Sequence, residues 1–213
     1  EHASIYRFTY PASGDASLLI DLAHSVPLLA NIVNTESGIS ASKVVLHTEI
    51  NAEGYPVFSG SGVYEGGFGG AHGLCFYAVV KKQPVVMGTY DADGLHEGET
   101  GFFRETLRSK DESVGGFMRF ETEENEDVYV KIGVSFTSIE KAKMWLEKEI
   151  PDWNYAAIRE ETRALWNKEL QKIQISGEHV TDVDKMKHYT AIYHAMCMPR
   201  DRSGDIPGYG DDV

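Results

Sequence analysis

"EDVYVKIGVSFTSIEKAKMWLEKEIP", residues 126–151, changes its period halfway through. In the first half Val128, Val130, Ile132, Val134 and Phe136 alternate with Tyr129, Lys131, Gly133, Ser135 and Thr137. Successive strand side chains point to opposite faces, so this spacing predicts a strand with one buried and one wetter face. Past Thr137 the apolar residues Ile139, Ala142, Trp145, Leu146 and Ile150 recur at helical intervals. Thr137 and Glu140 have capping-box spacing, which satisfies free amides at a helix start, and Pro151 ends the helix.

Toward the N-terminus the period of two continues. "SIYRFTYP", "ASLLIDLAH", "SKVVLHTEI", "LCFYAVV", "PVVMGTY" and "GGFMRFET" are rich in β-branched and aromatic residues. Turn chemistry separates them at Ser13-Gly14-Asp15, Ala52-Glu53-Gly54, Ala92-Asp93-Gly94 and Glu124-Asn125-Glu126. Short strands without helical patterns between them predict an antiparallel β-sandwich over residues 1–137. The fold class is therefore mainly β with C-terminal helices.

Toward the C-terminus the period stays helical. A second helix fits Tyr155–Ile173, with Tyr155, Ile158, Thr162, Leu165, Trp166, Leu170 and Ile173 along one stripe. A third starts near Val183, is expected to bury Met186, Tyr189, Ile192, Tyr193 and Met196, and ends before Pro199. Residues 138–180 are read as linker helices, and 181–213 as the first helix and loop of a further, helical domain. The opening "EHASIYRFTYP" lacks Met and is already in strand alternation, so the chain reads as a segment cut at both ends.

The formal charge of -13 excludes a phosphate backbone as the natural partner, because nucleic-acid binding needs clustered Lys and Arg. The densest charge run, "ETEENED" at 121–127, reads as a solvated turn. No apolar run reaches the ~18 residues of a membrane span. Cys75 and Cys197 lack CxxC or zinc spacing and are expected to be buried, inert thiols.

The candidate chemistry is sparse. "GSGVYEGGFGGAHG", residues 60–73, runs into a strand rather than a helix, so it reads as a bulged hairpin and not a phosphate cradle. The eight histidines form no metal motif; His24 and His47 read as structural, and His72 could reach a ligand from the glycine loop. In the tail, Asp201, Ser203, Asp205 and Asp212 fall at EF-hand positions, but Ile206 stands where the loop needs glycine. An EF-hand is excluded. Asp211 and Asp212 remain able to bind hydroxyls or a cation, and no catalytic nucleophile or carboxylate pair follows from spacing.

One ordered set of blocks goes further. The "KIGVSF" strand, "SIEKA" helix start, "LEKEIP" stop, "WNKELQKI" and "HYTAIYHAMCMP" together resemble the middle of glycoside hydrolase family 92. "YRFTYPASGDASLLIDLAH" resembles the same family's early strand pair. These are calcium-dependent, inverting exo-α-mannosidases in which a β-sandwich precedes an (α/α)6 barrel, with the active site in the cleft between them. The resemblance implies that this chain holds much of the sandwich, the linking helices and only the entry to the barrel.

The family's acid and base carboxylates, which inversion sets about 6.5–9.5 Å apart, lie beyond these residues, so the catalytic set here is none and the chain alone is expected to be inactive. The loop after the Tyr-His helix lines the family's mannose pocket, which implies substrate-binding roles for Asp211 and Asp212. A carboxylate suits vicinal sugar hydroxyls because it accepts two hydrogen bonds at once. The implied cofactor is calcium, held mostly outside this chain. The implied partners are a mannose-containing glycan and the remaining barrel, and the implied location is periplasmic, cell-surface or secreted. A non-catalytic carbohydrate-binding or structural sandwich is the alternative, and it would show Tyr64, Phe68 and Tyr77 on an exposed face. Under the mannosidase reading, and equally for a purely structural domain supporting the barrel, the three helices should carry bare apolar stripes and self-associate.

Overall fold

The computed structural model describes residues 2–23, 40–66, 69–107, 112–197 and 205. They fall into two compact units, Glu1–Trp153 and Asn154–Val213.

The first unit is a two-sheet sandwich with a helix on one outer face. One sheet has the order β1-β10-β5-β4-β3-β8, formed by Ala3–Tyr10, Glu126–Ser135, Gly69–Val80, Pro56–Gly66, Ser40–Ile50 and Gly101–Thr106. The other has the order β2-β9-β6-β7, formed by Ser13–Asp21, Gly115–Thr122, Val86–Asp91 and Gly94–Glu97. Every pairing among the described strands is antiparallel. The alternating residues of the two inner faces make the core: Val44, Leu46, Phe58, Ala78, Val80, Val128 and Val130 from one sheet meet Met118, Phe120 and Ala16 from the other. Gly116 sets the spacing there, since a Cβ at that position would stand 2.5 Å from the Phe58 ring.

The glycine-dense stretch forms the end of β4 and the start of β5, with a register shift between Tyr64 and Gly66. It is thus a bulged hairpin, as its run into a strand predicts. The expected turn at Ser13-Gly14-Asp15 is instead absorbed into β2 as an irregularity between Ser13 and Ala16.

β10 departs from its sequence pattern in one respect. Its even-numbered residues do face the core, but Lys131, Gly133 and Ser135 on the other face are also buried. They lie beneath α1 (Ile139–Glu149), which seats Ala142, Leu146 and the following Ile150 on β10 and β5. A Cβ at residue 133 would come within 2.2 Å of the Ala142 carbonyl oxygen and 2.8 Å of the Leu146 Cβ, so glycine is what lets the helix lie this close. The cap also moves by one residue. Ser135 Oγ accepts from Thr137 N at 3.0 Å and pairs with the Thr137 hydroxyl, so Ser138 becomes the cap and accepts from Lys141 N at 3.1 Å.

Further bonds fix α1 to the sheet. The Lys131 ammonium donates to Ile150 O at 3.1 Å, which satisfies a carbonyl at the helix's negative end. Glu149 Oε2 accepts from the backbone N–H groups of His2 and Ala3 at 2.9 and 3.0 Å, while the His2 ring stacks on Trp145 at 4.2 Å.

The second unit contains α2 (Tyr155–Leu170), capped by Asn154, and α3 (Asp182–Met196), opened by a capping box between Thr181 and Asp184. The expected burial of the α3 stripe is not found: neither helix has a buried residue, and Met186 is 68% exposed. Bare apolar stripes therefore occur on α2 and α3 and not on α1, whose stripe the sandwich covers.

Replacing Gly133 by valine should lift α1 from the sheet and cost about 1–3 kcal/mol or more. The check is a lower urea midpoint at unchanged slope; an unaltered midpoint would show that the helix does not seat on residue 133.

Candidate functional site

Asp211 and Asp212 lie outside the described residues, as do His24 and Phe68. From the loop after α3 the structure describes Asp205, which is 1% exposed. That burial distinguishes it from an ordinary loop aspartate, and spacing alone does not reveal it, because a position in a calcium-loop pattern carries no information on environment. Around α3, Tyr193 packs against Trp166 of α2 with ring centres 4.8 Å apart, and His188 meets Ile173 O at 3.1 Å. Cys197 is half-buried, not buried, and its thiol donates to Tyr193 O at 3.3 Å. Cys75 is buried, as its strand neighbours suggest.

Of the aromatic residues expected on an exposed sandwich face, neither Tyr64 nor Tyr77 is exposed. Tyr64 packs against the core, and its hydroxyl donates to Leu22 O at 3.0 Å. Tyr77 is only 6% exposed, with the Lys143 ammonium 5.4 Å from its ring centre. His72 is exposed at the hairpin, 6.2 Å from the Tyr64 ring, and His47, read as a satisfied strand histidine, is exposed on β3. Among the described residues no three His, Cys, Asp or Glu side chains gather closely enough to hold a metal ion.

A strongly perturbed carboxylate lies at the end of β6: Asp91, with a side chain only 4% exposed. It meets His96 Nε2 at 2.9 Å through Oδ1, accepts from Asp93 N at 2.9 Å, and accepts from Arg104 Nη2 at 2.8 Å through Oδ2. Asp91 and His96 belong to one sheet and Arg104, on β8, to the other. The hydrogen bond to His96 does most to hold the carboxyl down from 3.8 to about 2; burial opposes it, and the bonds from Asp93 and Arg104 add to it. The same contact raises His96 above its ordinary 6.5. An aspartate–histidine pair can act in acid–base chemistry, but here the second carboxylate oxygen is taken by a guanidinium. The arrangement clasps the sheets together.

Family descriptions match the chain in two consecutive blocks. Residues 1–135 match the N-terminal domain of glycosyl hydrolase family 92, and residues 141–212 match that family's catalytic domain. An "uncharacterized secreted glycosidase" of Arthroderma benhamiae is 26% identical over 97% of this chain and 27% of its own length. A family GH92 α-mannosidase from Bacteroides thetaiotaomicron has the same fold at a TM-score of 0.72 and 22% identity, covering 95% of this chain and 25% of that one. A family GH92 inverting mannosidase from the same species, strain VPI-5482, aligns at a TM-score of 0.69 and 17% identity, over 93% of this chain and 23% of that one. The chain thus spans about a quarter of the length of the relatives it matches.

The Asp91 clasp has a defined pH window. A lowered carboxyl stabilises the fold above its ordinary 3.8 and loses that effect as pH falls toward about 2. A raised histidine stabilises below 6.5 and loses the effect as pH rises through its raised value. Asp91→Asn should therefore lower Tm most between about pH 4 and 6.5, with the gap to wild type closing toward pH 2. A gap that stays constant across thermal melts from pH 2 to 8 would exclude the clasp.

Proposed function

The chain belongs to glycosyl hydrolase family 92, and from that premise we propose that it is part of an α-mannosidase removing terminal α-linked mannose from glycans. One observation carries this reading: the two family blocks run in order through the sandwich and into α2 and α3, and the similar solved structures include α-mannosidases. One such enzyme has also been solved in complex with mannoimidazole, which supports a mannose-like ligand for the family fold.

The proposed division of labour follows from the family resemblance and from what the described residues provide. The proposal assigns the acid and base of an inverting reaction to the rest of the parent, as the family resemblance implies. The sandwich supports that barrel, and α2 and α3 begin it, with Leu165, Ile173, Val183 and Met186 exposed for the further helices to cover. The proposed role of Asp211 and Asp212 is to accept hydrogen bonds from the terminal sugar's hydroxyls and so fix the ring for attack. The described residues do not fit calcium, and the proposal assigns its ligands to the remainder of the parent. Export to a periplasm, cell surface or medium is proposed from the name of the fungal relative. No helix among the described residues is long and apolar enough to cross a membrane.

The test is expression of the parent reading frame and assay on α-linked mannobiose, with the anomer of the first-formed mannose read by NMR. Release of the β-anomer by the parent, and none by residues 1–213 alone, is the expected outcome. Asp211→Asn and Asp212→Asn in the parent should lower kcat/KM by at least about tenfold, equivalent to ~1.4 kcal/mol. Turnover by the 213-residue chain, or a parent inert toward every α-mannoside, would sink this reading.

A further inference from the structure

Between the β3–β4 turn and α1 the first unit encloses a cleft of about 490 Å³. Its size falls within the roughly 300–1,000 Å³ of small-molecule sites. The floor is Tyr77, Val79 and Leu146, all buried, and the rim carries the carboxylates of Glu53, Glu147 and Asp152. Trp153 and Lys131 complete the walls.

Local bonds hold these walls in place without a ligand. Asn51 Oδ1 accepts from Glu53 N at 3.1 Å and from Tyr55 N at 2.8 Å, fixing the turn that presents Glu53. Trp153 stands edge-on to Tyr55, with ring centres 5.5 Å apart at 62°, and the Lys131 ammonium sits 4.4 Å from its ring centre. Lys131 is 9% exposed, and among the described residues its recorded acceptor is Ile150 O, for a group that carries three N–H donors. A site whose side chains are set before binding loses less on ordering when a ligand arrives.

The lining also selects the ligand's charge. The three carboxylates are matched by the ammonium groups of Lys131, Lys143 and Lys81, the last 5.7 Å from the Trp153 ring centre, so no net charge favours a phosphate or another polyanion. A cation would compete with ammonium groups already held over the rings of Trp153 and Tyr77. A neutral molecule with one apolar face for the floor and several hydroxyls for the rim satisfies both constraints. Pyranose rings have that construction.

We propose that this cleft binds a neutral pyranoside, its hydroxyls donating to Glu53, Glu147 and Asp152 and its apolar face resting on Tyr77, Val79 and Leu146. The inference goes beyond the mannosidase reading and does not need it, because the cleft is built wholly from residues of the first unit.

The chain is titrated separately with methyl α-D-mannopyranoside and methyl α-D-glucopyranoside, following tryptophan emission and amide NMR shifts. Saturable binding near about 1 mM is expected for at least one, with the shifts centred on residues 51–55, 77 and 147–153. Ala52→Trp, at an exposed rim position, should plug the cleft and weaken binding at least tenfold while the circular dichroism stays native. The double change Glu147→Gln and Asp152→Asn, also at exposed positions, should weaken it threefold or more without touching the core. No saturable binding of either pyranoside, or binding unchanged in both variants, overturns the proposal. If the parent turns over mannosides while the chain binds neither pyranoside, the cleft inference falls and the mannosidase reading survives; binding without turnover reverses that result.

Discussion

A methyl group at residue 133 would stand 2.2 Å from the Ala142 carbonyl, and much of the first unit depends on its absence. Because β10 has no side chain there, α1 can lie directly on the strand and bury Ala142, Leu146 and Ile150 against it. That contact gives a sheet of an antiparallel sandwich a second apolar layer. It also brings the helix's last carbonyl within reach of Lys131 and its Glu149 within reach of the β1 backbone. Burying a lysine is costly unless it is bonded. Here desolvation lowers the pKa of Lys131 while the carboxylates of Glu53, Asp152 and Glu147 raise it. The same residues that close the helix onto the sheet thus set the charge of the neighbouring cleft.

The two sheets are joined by different means at the core and at one edge. In the middle, Phe58, Met118 and Phe120 interdigitate and exclude water. At the margin, Asp91 reaches from β6 to Arg104 on β8 while also holding His96. Apolar burial is non-directional, so it favours sheet contact without choosing one alignment. A carboxylate shared by an imidazole and a guanidinium is directional, and it fixes how the β6–β7 hairpin lies over the other sheet.

How much of this could be read from the sequence differs by element. The long apolar alternations of β10 and β9 and the helical period of α1 mark strands and helix directly. The periodicity also identifies the inner face of β10, but it cannot show that the other face is covered. Gly133 and Ser135, small residues at consecutive positions of that face, were the available sign. The cap falls one residue later than spacing predicts because Thr137 and Ser138 both carry suitable hydroxyls, and Ser135, outside the helix, decides between them. The first half of β4, beginning at Pro56, leaves no clear period in the sequence because serine and glycine interrupt its alternation. For α3, an apolar stripe records that a face wants burial and says nothing of what covers it. The candidate sugar-binding aspartates were legible only through resemblance, since a carboxylate in a polar loop has no periodicity to read.

Glu149 accepts hydrogen bonds from the backbone of His2, 147 residues earlier in the chain. Among the described strands β1 pairs with β10, so that pairing cannot form before residue 126 has been made. During synthesis at about 5–20 residues per second, the first strand therefore waits roughly 7–30 s for its partners to be made. For that interval Ile5, Tyr6 and Phe8 belong to a nascent segment with an unpaired strand edge, the kind of segment that attracts chaperones or stray strands. The bonds from helix to first strand close only after α1 has left the ribosome, so this contact is the last of the β1 contacts to be made.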